Sequence, residues 1–332
     1  MNRKFTMLIL AISILFVLLG NCFAAGRLPV FVTIAPQKFF VQQIGRDLVD
    51  VQVMVEPGAD PHTYEPKPQQ MVAISKAKIY FAVGIEFEEA NLGKITATNP
   101  NLKVIHTDNG IEKIAMAAHH DHHDGHEKEH HDKGEHHEEG KDEHHAEAEH
   151  AHEKGEHHGE TEHDEGHHEH TGLDPHTWLS PPLVKIQART IQAALQEADP
   201  AHQKDYEVNF HEFTAQIDQL DADLKTTFAG KKGLQFLVFH PAWGYFAHAY
   251  GLKQVPIEIE GKDPKPAQLK ELIEHARENG IKVVFVQPQF STKSAQLISQ
   301  EIGGQVVFAD PLAGDWMANL REVANKFQSA LK

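Results

Sequence analysis

Three histidines in this sequence have the surroundings of metal ligands. His62 and His176 each lie in the tetrapeptide Asp-Pro-His-Thr, at residues 60–63 and 174–177. Proline fixes its own backbone and restricts the residue before it, so the histidine that follows is held in one direction. His240 begins the segment His-Pro-Ala-Trp, directly after an apolar run at residues 234–239. Because imidazole is a favoured ligand of Zn²⁺, the first hypothesis is a zinc site, with turn or capping roles as the alternative for any one histidine.

A carboxylate could complete this group of ligands. Asp310 follows the apolar run at residues 306–309 and precedes a proline. Three imidazoles and one carboxylate would fill a tetrahedral zinc shell and leave no open position for an activated water. The pattern therefore predicts a metal-binding protein and not an enzyme.

The elements that must position these side chains alternate between strand and helix. Short apolar runs rich in β-branched residues alternate with helical patterns in both halves of the chain, which predicts an α/β fold of two lobes, each with a parallel sheet flanked by helices. Ligands of open parallel sheets bind at the carboxyl ends of the strands. His62, His240 and Asp310 all lie at that edge, so the metal is expected in a cleft between the lobes.

The predicted elements repeat in the two halves. Strands are predicted at residues 29–34, 51–55, 79–83 and 103–106, and again at 234–239, 254–259, 282–286 and 305–308. Helices are predicted at residues 37–44, 68–75 and 86–92 in the first half, and at 243–250, 266–278, 291–301 and 316–330 in the second. Two further helices, at residues 183–197 and 202–227, lie between the halves.

The second of these middle helices is long and amphipathic. Its apolar residues are spaced three or four apart, at Phe210, Phe213, Ile217, Leu220 and Leu224. At 1.5 Å per residue it would span about 40 Å, which is long enough to join two lobes as one rigid helix. The alternative is a helix that packs on one lobe only.

The N-terminus has the pattern of a secretory leader, predicted at residues 1–25. Basic residues at positions 3 and 4 precede an apolar run of 13 residues, which is short for a bilayer span, and small residues follow. Lipid attachment at Cys22 is the less favoured alternative, because asparagine precedes this cysteine where a small residue is expected. The remaining chain divides into an N-terminal lobe (26–200), a linking helix (201–229) and a C-terminal lobe (230–332).

An acidic, histidine-rich tract at residues 119–170 accounts for most of the charge. It has 19 acidic residues against 4 lysines, a net −15 of the chain's formal −17, and 19 of the 27 histidines. Since it lacks large apolar residues, we expect a disordered loop in the first lobe. The acidic balance argues against nucleic acid as a partner.

Clustered imidazoles and carboxylates predict that this tract is an auxiliary, weaker zinc-binding loop, with an inert solvated loop as the alternative. Its candidate ligands are the 19 histidines His119, His120, His122, His123, His126, His130, His131, His136, His137, His144, His145, His150, His152, His157, His158, His163, His167, His168 and His170.

Four motifs in the chain resemble the substrate-binding proteins of zinc and manganese ABC importers, most closely the periplasmic, ZnuA-like zinc branch. They are Gly-Ala-Asp-Pro-His-x-Tyr-Glu-Pro at 58–66, Asp-Pro-His-x-Trp-Leu-Ser-Pro at 174–181, Phe-His-x-Ala-Trp-x-Tyr-Phe at 239–246 and Asp-Pro-Leu at 310–312. A histidine-rich acidic loop before the second motif is also typical of the zinc branch. The resemblance covers essentially the whole chain after the leader.

This resemblance implies two α/β lobes joined by one long helix, with His62, His176 and His240 as ligands and Asp310 as the fourth candidate. Some zinc members complete the shell with water or with a glutamate near the first histidine, but Pro61 stands directly before His62 here. Manganese relatives have glutamate where His240 stands, and imidazole suits Zn²⁺ better than Mn²⁺.

The function that the resemblance implies is capture of Zn²⁺ in the periplasm and delivery to an importer permease driven by a cytoplasmic ATPase. The protein would then contact the membrane only through that permease, as a monomer. The alternatives are a secreted metal-storage or adhesion protein and a manganese-importing relative.

Overall fold

The computed structural model describes residues 26–117, 172–259 and 261–330. The leader at 1–25, including Cys22, and the histidine tract at 119–170 lie outside the described residues, so the expectations for them stay predictions. Within the described ranges, none of the helices combines the length and the apolar character that crossing a membrane would need.

In the described part of the first lobe, four parallel strands form one sheet. They are β1 (Leu28–Val32), β2 (Val49–Val53), β3 (Ile79–Ala82) and β4 (Lys103–His106), in the order β2-β1-β3-β4. Helices α1 (Ala35–Gly45), α2 (Pro68–Ile74) and α3 (Glu86–Thr98) connect consecutive strands. All four residues of β3 are buried, because a parallel strand covered by helices on both faces is apolar along its whole length.

The second sheet repeats this arrangement in the described residues. Strands β5 (Gln235–Val238), β6 (Lys253–Pro256), β7 (Val283–Val286) and β8 (Gln305–Phe308) are parallel and follow the order β6-β5-β7-β8. Along the chain, two helices follow the first sheet and precede the second, α4 (Pro181–Ala198) and α5 (Gln203–Thr227). The second lobe adds α6 (Gly244–Tyr250), α7 (Pro266–Glu278), α8 (Lys293–Glu301) and α9 (Trp316–Ala330). The expected two-lobed α/β fold is confirmed.

The long helix α5 has 25 residues and links the lobes, as predicted. It packs against α4 and α1 on one side of the molecule and against α9, which follows the second sheet. An aromatic cluster marks this junction. The ring centroids of Phe213 in α5 and Phe40 in α1 lie 6.0 Å apart, and those of Phe40 and Trp316 in α9 lie 5.1 Å apart. One apolar core therefore extends through both lobes.

Two predicted elements end at other residues in the structure, and the first of these differences affects the candidate site. The sixth strand ends at Pro256, so Glu258 lies in the loop after it and not in a strand. Helix α3 begins at Glu86 as predicted but continues to Thr98, well past residue 92. The apolar residue Ile95 near its end is buried, and this tertiary packing extends the helix beyond its first two turns.

Candidate metal centre

The fold brings His62, His176 and His240 together in one cleft. The ring centroids of His62 and His240 are 5.1 Å apart, and those of His176 and His240 are 5.2 Å apart. A zinc-bound imidazole holds its ring centroid about 3.2 Å from the metal, so two rings in a tetrahedral shell have centroids about 5 Å apart. These two ring pairs, which share His240, thus have the spacing of ligands in a zinc site.

These histidines line a small cavity. Its other walls come from the segments that follow β2, β3, β7 and β8 and from the segment around His176, and they include Phe87, Trp178 and Phe290. The cavity volume is about 30 Å³, which has room for a metal ion or a water molecule but not for an organic ligand of ordinary size. The cleft therefore selects a very small ligand.

His240 follows β5, and its main chain and ring are both fixed. Gln287, directly after β7, accepts from the backbone N–H of His240 (3.2 Å) and donates to its carbonyl oxygen (2.6 Å). The ring Nδ1–H donates to Glu258 Oε1 at 2.7 Å, and the ring stacks on Phe290. Among the described residues, Nε2 of His240 is buried with no hydrogen-bond partner. A buried nitrogen of this kind is costly unless something pairs with it.

His176 is held by the aspartate of its own Asp-Pro-His-Thr segment. Asp174 Oδ1 accepts from the backbone N–H of His176 at 2.9 Å and from its ring Nδ1–H at 2.7 Å. Burial lowers the pKa of His176, while the Asp174 charge acts in the opposite direction and the nearby His240 and His62 lower the pKa further. The lowered pKa favours the neutral imidazole that a metal requires.

His62 lies in the loop between β2 and α2, and the repeated tetrapeptide gives its backbone the same hydrogen bond to an aspartate side chain. Its N–H donates to Asp60 Oδ1 at 3.0 Å, as the N–H of His176 does to Asp174. Its ring Nδ1, however, contacts a different carboxylate, Glu86 Oε2 at 3.0 Å. The His62 side chain is 29% exposed, against 7% for His176 and 9% for His240. His62 is therefore the solvent-facing member of the group.

The three histidine rings are oriented by the same kind of contact. Each presents Nδ1 to a carboxylate, from Glu86, Asp174 or Glu258. An imidazole that donates through Nδ1–H has its lone pair on Nε2, and carboxylates oriented in this way are the usual outer partners of metal-binding histidines. The arrangement makes Nε2 of each histidine the available ligand atom.

Asp310 lies after β8 but stands behind the cavity. Its Oδ1 accepts from the backbone N–H of Leu312 at 2.9 Å and from Gln289 Nε2 at 3.2 Å. Gln289 and Leu312 line the cavity, whereas Asp310 is not among the described lining residues. Across the described ranges, no three His, Cys, Asp or Glu side chains already surround a common point as a set of ligands. Ligation by the three imidazoles would require the side chains to move, and it stays a prediction, as does ligation by Asp310.

Two outer carboxylates were missed by the sequence analysis. Glu86 supplies a glutamate beside His62, although the residue next to it in the chain is Pro61. Glu258 reaches His240 from the loop after β6. Both residues follow the carboxyl end of a strand, which is the signal that identified His240. A search for acidic residues at strand ends would therefore have found them.

Comparisons with known proteins agree on one family. The family model described as zinc-uptake complex component A, periplasmic (ZnuA), matches residues 30–330 of the chain. The high-affinity zinc uptake system protein ZnuA of Bacillus subtilis (strain 168) is 30% identical over 296 residues, which are 87% of this chain and 79% of that protein. A crystal structure of ZnuA is 38% identical, with a TM-score of 0.75, and the match covers 92% of this chain and 100% of that one. A ZnuA deletion mutant with zinc bound is also 38% identical, with a TM-score of 0.74 and coverage of 92% and 98%.

Proposed function

The chain belongs to the ZnuA family of periplasmic zinc-uptake components, and from this premise we propose that it captures Zn²⁺ through His62, His176 and His240. The observation that carries this proposal is the buried Nε2 of His240, which has no hydrogen-bond partner among the described residues, on a ring whose centroid lies 5.1 and 5.2 Å from those of two other imidazoles. A bound cation would pair with this nitrogen. Zn²⁺ fits three imidazoles better than Mn²⁺, which prefers oxygen ligands.

The fourth position of the zinc shell belongs to Asp310 or to a water molecule. Asp310 would have to exchange its contacts with Leu312 and Gln289 for the metal. The protein would bind and release the ion without catalysing a reaction of a second substrate, because the cavity has room for little besides the ion. This is the behaviour of a solute-binding transport protein.

The route of the ion follows from the family. We infer that a leader at residues 1–25 directs the chain to the periplasm, where the monomer delivers zinc to the permease of an ABC importer and its ATPase. The acidic histidine tract at 119–170 would hold further zinc weakly, because many imidazoles and carboxylates are concentrated in one segment.

Metal content and growth together test this function. Protein purified without a nickel column and exposed to equal Zn²⁺ and Mn²⁺ should retain zinc, measured by elemental analysis. Deletion of the gene should impair growth only when zinc is scarce, and the intact gene should restore that growth. Preferential retention of manganese, or a growth defect independent of zinc, would contradict the proposal.

A further inference from the structure

The hydroxyl of Tyr245 connects two segments that are far apart in sequence. Tyr245 lies on α6, the helix that follows His240, and is only 4% exposed. Its hydroxyl donates to the carbonyl oxygen of Asp174 at 2.8 Å and accepts from the backbone N–H of Ile114 at 3.1 Å. One side chain of the second lobe thus satisfies two main-chain groups from the first half of the chain.

The two segments also pair with each other. The N–H of Asp174 donates to the carbonyl of Ile114 at 2.8 Å, and the N–H of Met116 donates to the carbonyl of Gly172 at 3.0 Å. They form a short antiparallel ladder centred on the bridge between residues 115 and 173. This ladder joins the described residues on either side of the histidine tract, and Tyr245 is bonded to its end.

The neighbouring residue Gly244 permits this contact. A Cβ added at Gly244 would lie 2.5 Å from Asp174 Oδ2 and 3.1 Å from Gln254 Nε2, so the backbone of α6 approaches the aspartate too closely for any side chain. Asp174 is fully buried, and its other carboxylate oxygen orients both the backbone and the ring of His176. Helix α6 therefore contacts Asp174, the residue that orients His176. The same helix begins four residues after His240.

We propose that Tyr245 is a positioning residue of the zinc site, which fixes Asp174 against α6 and so sets the separation of His176 from His240. This inference rests on the proposed function, because it concerns the same three imidazoles. The hydroxyl acts through Asp174 and does not touch the ion. Without it, Asp174 and Ile114 each lose a hydrogen bond to α6, and His176 is less well held for tetrahedral ligation.

The hydroxyl stays a donor at ordinary pH. Burial raises the pKa of Tyr245 to about 12, with the charges of Asp174 and Asp108 acting in the same direction and the hydrogen bond from Ile114 acting against them. The hydroxyl thus keeps its proton across the pH range in which the protein would bind zinc.

The test compares two tyrosines of the same helix in the full-length chain. Tyr245→Phe removes the hydroxyl at the ladder, whereas Tyr250→Phe removes one that donates to Asp221 at 3.1 Å, away from the histidines. Loss of a hydrogen bond changes an equilibrium constant by up to about tenfold, and of the two bonds lost in Tyr245→Phe only the one to Asp174 acts on His176. Zinc dissociation constants from chelator competition should therefore rise about three- to tenfold in Tyr245→Phe and stay within twofold in Tyr250→Phe. Thermal unfolding of both variants checks that they are folded.

A spectroscopic measurement separates positioning from a general loss of stability. One equivalent of Co²⁺ should give an altered visible absorption spectrum in Tyr245→Phe and the wild-type spectrum in Tyr250→Phe, because these bands report ligand geometry. A wild-type zinc affinity and a wild-type cobalt spectrum in Tyr245→Phe would overturn the inference. If His176→Ala and His240→Ala both kept the tight site, the proposed function itself would be overturned.

Discussion

The Nδ1–H of His240 donates to the Glu258 carboxylate across 2.7 Å, and the two side chains are only 9% and 7% exposed. This contact fixes which ring nitrogen is protonated and which way the ring faces. It also places a negative charge next to the imidazole, in a region from which water is largely excluded. If His240 binds zinc as proposed, Glu258 should support that binding although it does not line the cavity.

Removal of the Glu258 carboxylate should weaken zinc binding more than removal of the Glu86 carboxylate, which contacts His62. Loss of such an outer carboxylate typically costs about 10- to 100-fold in metal affinity, so Glu258→Gln should raise the zinc dissociation constant at least about tenfold. Glu86 has a side chain that is 60% exposed, and solvent screening should limit the effect of Glu86→Gln to about threefold.

Chelator competition measures both constants, with the exposed Glu271→Gln on α7 as the matched control. Wild-type affinity in Glu258→Gln, or a larger loss in Glu86→Gln than in Glu258→Gln, would contradict the roles assigned to the two carboxylates.

The lowered pKa of His176 predicts a pH-dependent stability of the metal-free protein. Burial is the main cause, so the native imidazole takes up a proton only below the unfolded value of about 6.5. In that window the unfolded state binds more protons, and the free energy of unfolding should fall as the pH drops below about 6.5 and level off below the native pKa. Zinc binding should weaken in the same acidic range, since ligation requires neutral imidazole.

Urea unfolding in the presence of a chelator, at several pH values between about 5 and 7.5, tests the sign of this effect. The wild-type protein should lose more stability towards low pH than His176→Asn, which has no imidazole at this position. Equal slopes for the two proteins would remove the buried His176 as a source of the pH dependence.

Deletion of residues 119–170 should leave the tight zinc site intact. The described residues on either side of the tract are already joined by the hydrogen bond between Met116 and Gly172, so a short linker can close the chain. Calorimetry should then show one tight site, without the weaker binding that we expect of the full chain. Loss of the tight site would show that the tract contributes to it and is not auxiliary.

Zinc binding should change the overall dimensions of the protein very little. The aromatic cluster around Phe213 joins the lobes, and Trp178 Nε1–H donates across them to the carbonyl of Pro311 at 2.8 Å while Trp316 Nε1–H donates to that of Trp178 at 2.7 Å. Small-angle scattering of the tract-deleted protein, with and without one equivalent of zinc, should give the same radius of gyration. A clear compaction would indicate hinge closure and contradict the rigid linkage.

The sequence allowed much of this fold to be predicted, because its signals are local. The strands at 103–106 and 305–308 and the helices at 266–278 and 316–330 match the structure to the residue. Each of these segments combines one apolar periodicity with clear boundaries, such as the proline that begins α7. The repeated Asp-Pro-His-Thr likewise gives the same hydrogen bond from the histidine N–H to the aspartate twice, at His62 and at His176.

The outer carboxylates could not be identified in the same way, because their contacts depend on packing between distant segments. Glu86 is 24 residues from His62 and Glu258 is 18 from His240, with one helix and one strand between the partners in each case. The repeat was even misleading here, since Asp174 holds the ring of His176 whereas Asp60 does not hold that of His62. The position of Asp310 after a strand correctly predicted the edge of the sheet at which it lies. It did not predict that the carboxylate would contact Gln289 and lie outside the lining of the cavity.

Titration calorimetry of His240→Ala beside His248→Ala tests the central claim most directly. His240 has the buried, unpaired Nε2, whereas His248 is exposed on α6, so the two variants remove the same side chain from inside and outside the cleft. We predict that the tight zinc site disappears in His240→Ala and persists with wild-type stoichiometry in His248→Ala. An unchanged tight site in a folded His240→Ala variant would contradict the account.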